Sequence, residues 1–345
     1  MEKQVALWDT FPIYGYEGRS LISKEKGCVT IPLQLELPEV FTLDSSEYLI
    51  LQELFFNVIE VMGTNTLFHK QDFFLQENYT PLKERLQGDF LERANEYHFE
   101  GRPFLNASHY LYISYVPKNY IKYSSRRANS FLDKNRDFFL ENTVPNEYIN
   151  TDILSDFENK VESVNDLINS SNLVRSQIVD YDEIFSESGL YSKYFGLSQD
   201  SPGMTDVDFS DNSLWVGEKR GQFFALENLE QFTKEHVSTN ELYGKYTTKY
   251  NQFPIGNLFS LGFKIPHEHI INQYIYVPDQ EKVLKQFRKK AQRFIQFGSG
   301  AKDDSNAIYA DQLYEYNRDI LENHKETVFY HLTVLGFTDE KEKYG

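Results

Sequence analysis

Val29-Thr30-Ile31-Pro32-Leu33-Gln34-Leu35-Glu36-Leu37, followed by Asp44-Ser45-Ser46-Glu47, decides the fold class. The first string is a strand, and Leu21 to Lys24 ahead of it reads as another, joined through Glu25-Lys26-Gly27, a short polar connection of the hairpin kind. Pro32 has no N–H for a ladder, which predicts an edge or a bulge at that point. In the second string the Asp44 carboxylate can accept from a free amide of a first helical turn while Glu47 reaches back, a capping box that predicts a helix to about Met62. Leu49, Leu51, Leu54, Phe55, Val58 and Val61 recur at spacings of three and four within the helix as a stripe to be buried on a sheet.

Working outward, Thr66 to Leu75 and His109 to Val116 are strands by their aromatic and branched content, with a polar, helix-favouring stretch from Leu82 to Phe99 between them. Strand, strand, helix, strand, helix, strand makes residues 1–118 a first α+β module with its helices on one face. Residues 119–200 read as a helical insert, with periodic charged segments at Asp156 to Ile168 and Glu183 to Phe195. The turn formers Ser198-Gln199-Asp200-Ser201-Pro202-Gly203 mark the boundary to a second module, 201–345. There Ser213 to Gly217 and Gln222 to Leu226 flank Glu218-Lys219-Arg220-Gly221 as a hairpin, and Ile255 to Phe263 and Ile270 to Val277 extend the sheet. A helix capped by Asp279 and a second from about Ser305 to Asn323 lead to Thr327 to Gly336, which reads as a central strand buried on both faces. The fold class is therefore α+β: two mixed modules with mainly antiparallel sheets, joined by a helical insert. Thr338 to Gly345 reads as the opening of another helix, so the second module is expected to be truncated and the chain to be a fragment of a longer one.

Composition narrows the function. The 345 residues include 28 Phe and 24 Tyr, enough for an aromatic-rich packed interior. With 35 basic against 52 acidic residues the net charge is -17, which repels phosphate backbones at long range and makes direct nucleic-acid binding an unfavoured general property. A single cysteine, Cys28, permits no internal disulfide and reads as a strand residue in a reducing compartment. The first residues lack the apolar core of a signal peptide, and the most apolar long stretch, Tyr48 to Met62, is too short and polar to span a bilayer. These points predict a cytoplasmic chain with peripheral membrane contact at most.

A P-loop would need Gly-x-x-x-x-Gly-Lys followed by Ser or Thr, and the sequence contains none. Tyr243-Gly244-Lys245-Tyr246 and Gly298-Ser299-Gly300-Ala301-Lys302 are near misses that read as loops. His267-Glu268-His269 is the tightest group of potential metal ligands, with both histidines on one side of an extended backbone, but it offers no third ligand at a recognisable spacing. His98 and His109, with Glu96, Glu100 and Arg102, lack a nucleophile and read as ion pairs supporting a junction between helix and strand. The helix Asp279 to Phe297 sets Lys282, Lys285, Arg288, Lys289, Lys290 and Arg293 opposite Leu284, Phe287, Ala291, Phe294 and Ile295, the one basic surface in the sequence. Lys282, Lys285, Arg288, Lys289 and Arg293 are accordingly the candidate interaction residues, for an acidic partner, anionic lipid or nucleic acid.

Five strings taken together resemble the TraG-type conjugative transposon ATPases of type IV secretion. They are Leu37-Pro38-Glu39-Val40-Phe41-Thr42-Leu43, His69-Lys70-Gln71-Asp72-Phe73-Phe74, His98-Phe99-Glu100-Gly101-Arg102-Pro103-Phe104-Leu105, Tyr194-Phe195-Gly196-Leu197-Ser198 and Asn272-Gln273-Tyr274, in the family's order. The resemblance runs from about Ser20 to Gly336, with Phe73 where the family has Trp and Gly101 where it has Glu. It implies a cytoplasmic ATPase, peripheral to the inner membrane, that powers DNA transfer, with its nucleotide motifs in a carboxy-terminal domain beyond the region seen here. On that footing this chain holds no cofactor, ATP and magnesium belonging to the missing domain, and it is a non-catalytic docking and scaffold part. Its partners would be inner-membrane components of the secretion channel, the motor domain and neighbouring subunits. Two readings compete: a stand-alone metal-dependent enzyme using His267, Glu268 and His269, and a nucleic-acid-binding module using the basic helix from Lys282 to Arg293.

Overall fold

The strand formers around Pro32 build β1 (Ile13–Glu17), β2 (Ser20–Ser23) and β3 (Val29–Glu36). The computed structural model describes residues 13–23, 28–38, 43–116, 151–186, 189–197, 206–210, 213–226, 249, 262, 265–298, 305–322 and 325–338. The connection Glu25 to Gly27, the boundary Ser198 to Gly203, the near misses at 243–246 and 299–302, Ile255 to Leu261 and the last residues from Asp339 lie outside them.

Helix α1 (Ser45–Met62) follows, with the capping box as expected: Asp44 Oδ1 accepts from the amides of Ser46 and Glu47 at 2.8 and 2.9 Å, and the Asp44 amide donates to Glu47 Oε2 at 2.8 Å. Its buried stripe is narrower than the sequence suggests. Leu54, Val58 and Met62 are enclosed, while Leu49 and Val61, at the margins of the stripe, are exposed. Then come β4 (Thr66–Asn78), a 3-10 turn at Arg85–Gln87, α2 (Phe90–Phe99) and β5 (Pro103–Tyr115). The insert contributes α3 (Thr151–Ser170), a strand β6 (Arg175–Ile178) that the sequence did not announce, and two short helices, α4 (Tyr181–Phe185) and α5 (Leu190–Gly196). The last part holds β7 (Val207–Ser210), β8 (Ser213–Val216), β9 (Lys219–Ala225), β10 (His269–Val277), α6 (Gln280–Gly298), α7 (Ser305–Glu322) and β11 (Phe329–Thr338).

These strands form one antiparallel sheet in the order β1-β2-β3-β5-β4-β10-β11-β9-β8-β7, with β6 also on β3, so the α+β class holds. β4 and β10, nearly 200 residues apart in sequence, pair continuously from Thr66↔Val277 to Phe74↔His269. Strands from residues 13–115 and 207–338 therefore share a single ladder system. β3 is not an edge. β5 covers one side of it, and on the other side β2 takes Val29 and Thr30 while β6 takes Leu33 to Glu36. Pro32 lies between these two partners, and its carbonyl accepts from the Val179 amide just past β6. The missing N–H thus falls where one neighbouring strand gives way to another.

Period-two alternation sends residues of β4, β5 and β10 to two cores. On one face Val29, Ile31, Leu33, Leu35, Phe68 and Ile113 pack against Leu54 and Val58 of α1 and Phe157, Val161, Val164 and Ile168 of α3. On the other, Phe73, Leu75, Tyr110, Ile270, Leu335 and Phe337 meet Ile184 and Leu190 of α4 and α5. Leu21 from one end of the sheet and Leu214 from the other join this same cluster, so both ends of the sheet contribute to one apolar body. Helices therefore cover both faces, not one. β11 also differs from expectation: Phe329, Tyr330 and His331 are exposed and only Val334 to Thr338 are enclosed. Among the described residues its second neighbour, β9, pairs with Thr333 to Thr338, and the first three residues take their ladder partners from β10.

Truncating Leu33, which is fully enclosed between β5 and β6, is expected to cost about 2–5 kcal/mol. Removing the exposed cap by Asp44→Ala is expected to cost clearly less than that. Urea denaturation followed by circular dichroism distinguishes the two magnitudes.

Candidate functional site

Around the β4–β10 pairing the alternation that builds the cores also places polar side chains on both faces. On the α1/α3 face Asp72, almost fully enclosed, receives both a hydrogen bond from Lys70 Nζ and one from His109 Nδ1 at 2.6 Å. Burial pushes the Asp72 carboxyl up, but the His109 hydrogen bond and the charges of Lys70 and His109 outweigh it and hold the group below the ordinary carboxylate value. His269 sits near this cluster with no solvent exposure, its ring stacked on Phe74 at 4.4 Å between centroids. Its Nδ1–H donates to the His267 carbonyl at 2.6 Å, and Nε2 is enclosed without a hydrogen-bond partner among the described residues. Burial lowers the His269 pKa, against the opposing effects of the His267 carbonyl and Asp72. Gly262 lies against the ring of Phe74, and a Cβ there would stand only 2.2 Å from a ring carbon.

On the opposite face the rows of β5, β4, β10 and β11 align Tyr112, His69, Tyr274 and His331. Their rings stack in sequence, with centroids 5.0, 4.2 and 6.2 Å apart. One row further along, Asn272 Oδ1 accepts from Gln71 Nε2 at 2.8 Å and from His69 Nε2 at 2.9 Å, while the Tyr112 hydroxyl donates to Gln71 Oε1 at 2.9 Å. Burial lowers the His69 pKa more than the Asn272 contact and Asp72 raise it. Since each ring in this ladder faces its neighbour, the ladder presents edges to its surroundings, unlike the open ring faces on which RNA-binding sheets stack bases.

The β4–β5 hairpin continues past the strands that flank it. β10 ends its pairing at Phe74 and β3 at His109, so Leu75–Asn78 and Pro103–Asn106 form a two-stranded arm tipped by the 3-10 turn and α2. This tip is built inside out. The one enclosed side chain of α2 is Glu96, 2% exposed, whose Oε2 accepts from the Tyr79 hydroxyl at 2.6 Å and the Leu82 amide at 2.9 Å. These bonds hold the Glu96 carboxyl low and the Tyr79 hydroxyl high. Phe90, Leu91 and Tyr97 are 78%, 74% and 62% exposed. Phe90, Ala94 and Tyr97 follow one another at helical spacings of four and three, an apolar stripe pointing to solvent.

Residues expected to act together are dispersed. His267 lies in a bend, not on an extended strand, so its side chain is exposed while that of His269 is enclosed. Glu268 is committed to structure, accepting from the Gln76 amide at 3.0 Å and pairing with Lys219 at 2.7 Å. His109 belongs to the Asp72 cluster, far along β5 from Glu96, His98 and Arg102 at the arm tip. Helix α6 keeps its two-sided character, with Phe287 and Phe294 against Tyr316 and Tyr309 of α7. Lys282 meets Asp279 at 3.3 Å, whereas Lys285, Arg288, Lys289 and Arg293 are exposed and make no ion pair among the described residues. The Asp72 and Asn272 clusters were missed by sequence reading. Polar residues at Lys70, Gln71 and Asp72 in the middle of an apolar strand were the available signal.

The chain is thus a mixed α+β protein organised on one antiparallel sheet with a polar cluster on either face of its centre. No group of three or more His, Cys, Asp or Glu able to hold a metal ion occurs among the described residues, and no helix there is long and apolar enough to cross a membrane. Residues 1–52, which run through β3 into α1, match a family described as "Domain of unknown function, B. Theta Gene description (DUF3875)". No curated protein matches the chain.

His69 and His269 are held neutral by burial, so their contribution to stability is complete above the unfolded histidine pKa of about 6.5 and declines as pH falls below it. Asp72 adds a further loss only below about pH 4, where the unfolded carboxyl takes up its proton. The urea midpoint is expected to drop between pH 7 and pH 5, and to drop less in a His69→Gln/His269→Gln variant.

Proposed function

We propose that this chain is a non-catalytic docking and scaffold part of a conjugative-transfer ATPase of the TraG type. The observation that carries the reading is the meeting of strings that resemble that family. His69 to Phe74 lies within β4, and Asn272 to Tyr274 lies beside it on β10, with Asn272 opposite Gln71 and Tyr274 opposite His69. Pro103 to Leu105, from a third string, pairs with the far end of β4. Leu197, from a fourth, is enclosed in the same cluster as Phe73. Motifs spread over more than 200 residues thus share one packing unit, which is what common ancestry of the whole region would preserve.

In this reading ATP and magnesium act in a domain other than this one, and the chain supplies surfaces to membrane components of the channel and to the motor. It works at the cytoplasmic side of the inner membrane, in peripheral contact with it. The principal docking element is the arm tip. A helix that buries its glutamate and exposes Phe90, Leu91 and Tyr97 offers aromatic anchors of the sort that dominate interfaces.

The test is conjugative transfer from cells in which the chain carries Phe90→Ser, Leu91→Ser and Tyr97→Ser together. Transfer is expected to fall about tenfold or more while the protein accumulates normally. Transfer at the unsubstituted level, or ATP hydrolysis by the purified chain alone, would overturn the reading.

A further inference from the structure

Helix α6 carries six basic residues and one acid in a chain of net charge -17, so the remainder of the chain carries -22. Lys285, Lys289 and Arg293 stand at i, i+4 and i+8. On a helix these positions fall within about 80° of arc and form a row about 12 Å long. The row points away from α7, because the opposite side of α6, at Val283, Phe287 and Ala291, is the side that packs. α6 cannot use that apolar side to enter a lipid interface, since α7 already occupies it.

Helix α3 presents the opposite sign with the same spacing. Its apolar side, Phe157, Val161, Val164 and Ile168, is committed to the core with α1 and β3. Its outer side carries Glu158, Glu162 and Asp166, again at i, i+4 and i+8. Glu162 and Asp166 are exposed and Glu158 is half-buried. Glu162 already meets Arg19 and Glu158 accepts from Ser20 at 3.0 Å. The Arg19–Glu162 pair is exposed, and such pairs are weak and exchange readily, whereas the Glu158–Ser20 bond is part-buried and leaves Glu158 its second carboxylate oxygen. No ion pair joins α3 to α6 among the described residues.

We propose that the basic row of α6 docks on the acidic row of α3 in a second copy of this chain. Equal spacing lets three pairs form in one register along antiparallel or parallel helices. Because the two rows lie on different elements, the contact is head-to-tail, and each copy uses one row and presents the row of opposite sign to the next. Over a screening length of about 8 Å the local match outweighs the like net charge of the two bodies. This gives a physical form to the subunit contact of the secretion reading, yet it is tested on the purified chain alone, so failure here leaves the transfer experiment unaffected.

The experiment is sedimentation equilibrium of the full chain at about 50 mM and about 500 mM salt. Mass above the monomer is expected at low salt and monomer at high salt. Lys285→Glu/Lys289→Glu/Arg293→Glu and Glu158→Lys/Glu162→Lys/Asp166→Lys are each expected to associate about tenfold more weakly or not at all. An equimolar mixture of the two is expected to recover association, because the reversed α6 of one meets the reversed α3 of the other. Circular dichroism shows whether each variant is folded. A monomeric unsubstituted chain at low salt, association untouched by either reversal, or no recovery on mixing folded variants would overturn the proposal. So would a row that instead governs binding to a single-stranded oligonucleotide or to phosphatidylserine vesicles, measured in parallel, while self-association is unchanged.

Discussion

The pairing of β4 with β10 is the constraint on which the rest of the molecule depends. Nine consecutive residue pairs from Thr66↔Val277 to Phe74↔His269 join strands that the chain brings together across nearly two hundred positions. Closing so long a loop carries an entropic penalty, although one that grows only slowly with its length. The return comes from what the ladder assembles on its two sides. Phe68 and Val277 enter the core under α1 and α3, and Phe73 and Ile270 enter the core under α4 and α5. A slip of one residue would exchange these faces and set Asp72 and His269 against the wrong neighbours.

The polar clusters reinforce the register of β4 with both of its neighbours, β5 and β10. An enclosed carboxylate such as Asp72 is tolerable only with its partners in place, and Lys70 and His109 reach it from its own strand and from β5. The network of Asn272, Gln71, His69 and Tyr112 spans β10, β4 and β5 and satisfies its members only in the observed alignment. Apolar packing alone would accept several alignments of similar area. Hydrogen bonds with fixed donors and acceptors accept far fewer.

Local structure was legible in the sequence wherever one residue type has one physical use. Asp44 and Glu47 announced the start of α1 and Asp279 the start of α6, and the hairpin between β8 and β9 was legible although its turn falls at Gly217 and Glu218, with Lys219, Arg220 and Gly221 already in β9. Long-range structure was not. Nothing in Thr66 to Leu75 names β10 as its neighbour, so the single sheet could not be read from either stretch. The exposed start of β11 likewise depends on where β9 stops pairing, a property of the partner and not of Phe329 or Tyr330. The inverted α2 escaped for a related reason. An apolar stripe at helical spacing reads as core, and only the hydrogen bonds on Glu96 reveal that a carboxylate takes the inner place. Lys282 to Arg293 could be read as a basic face, but that Lys282 meets Asp279 while Lys285, Arg288, Lys289 and Arg293 make no ion pair among the described residues became visible only in the structure.

The excursion between β10 and β11 is closed at its root. Gln280 and Thr327, 47 positions apart, exchange two hydrogen bonds, the side-chain amide of one donating to the backbone carbonyl of the other and accepting from its N–H. Beside this clasp Tyr276 already stands opposite Phe329 in the ladder. The two helices between are therefore a cassette spliced into a β-hairpin whose ends meet without them. Such an insertion can lengthen, shorten or change its surface over evolutionary time while the sheet keeps its register, which leaves α6 and α7 free to diverge with whatever they contact.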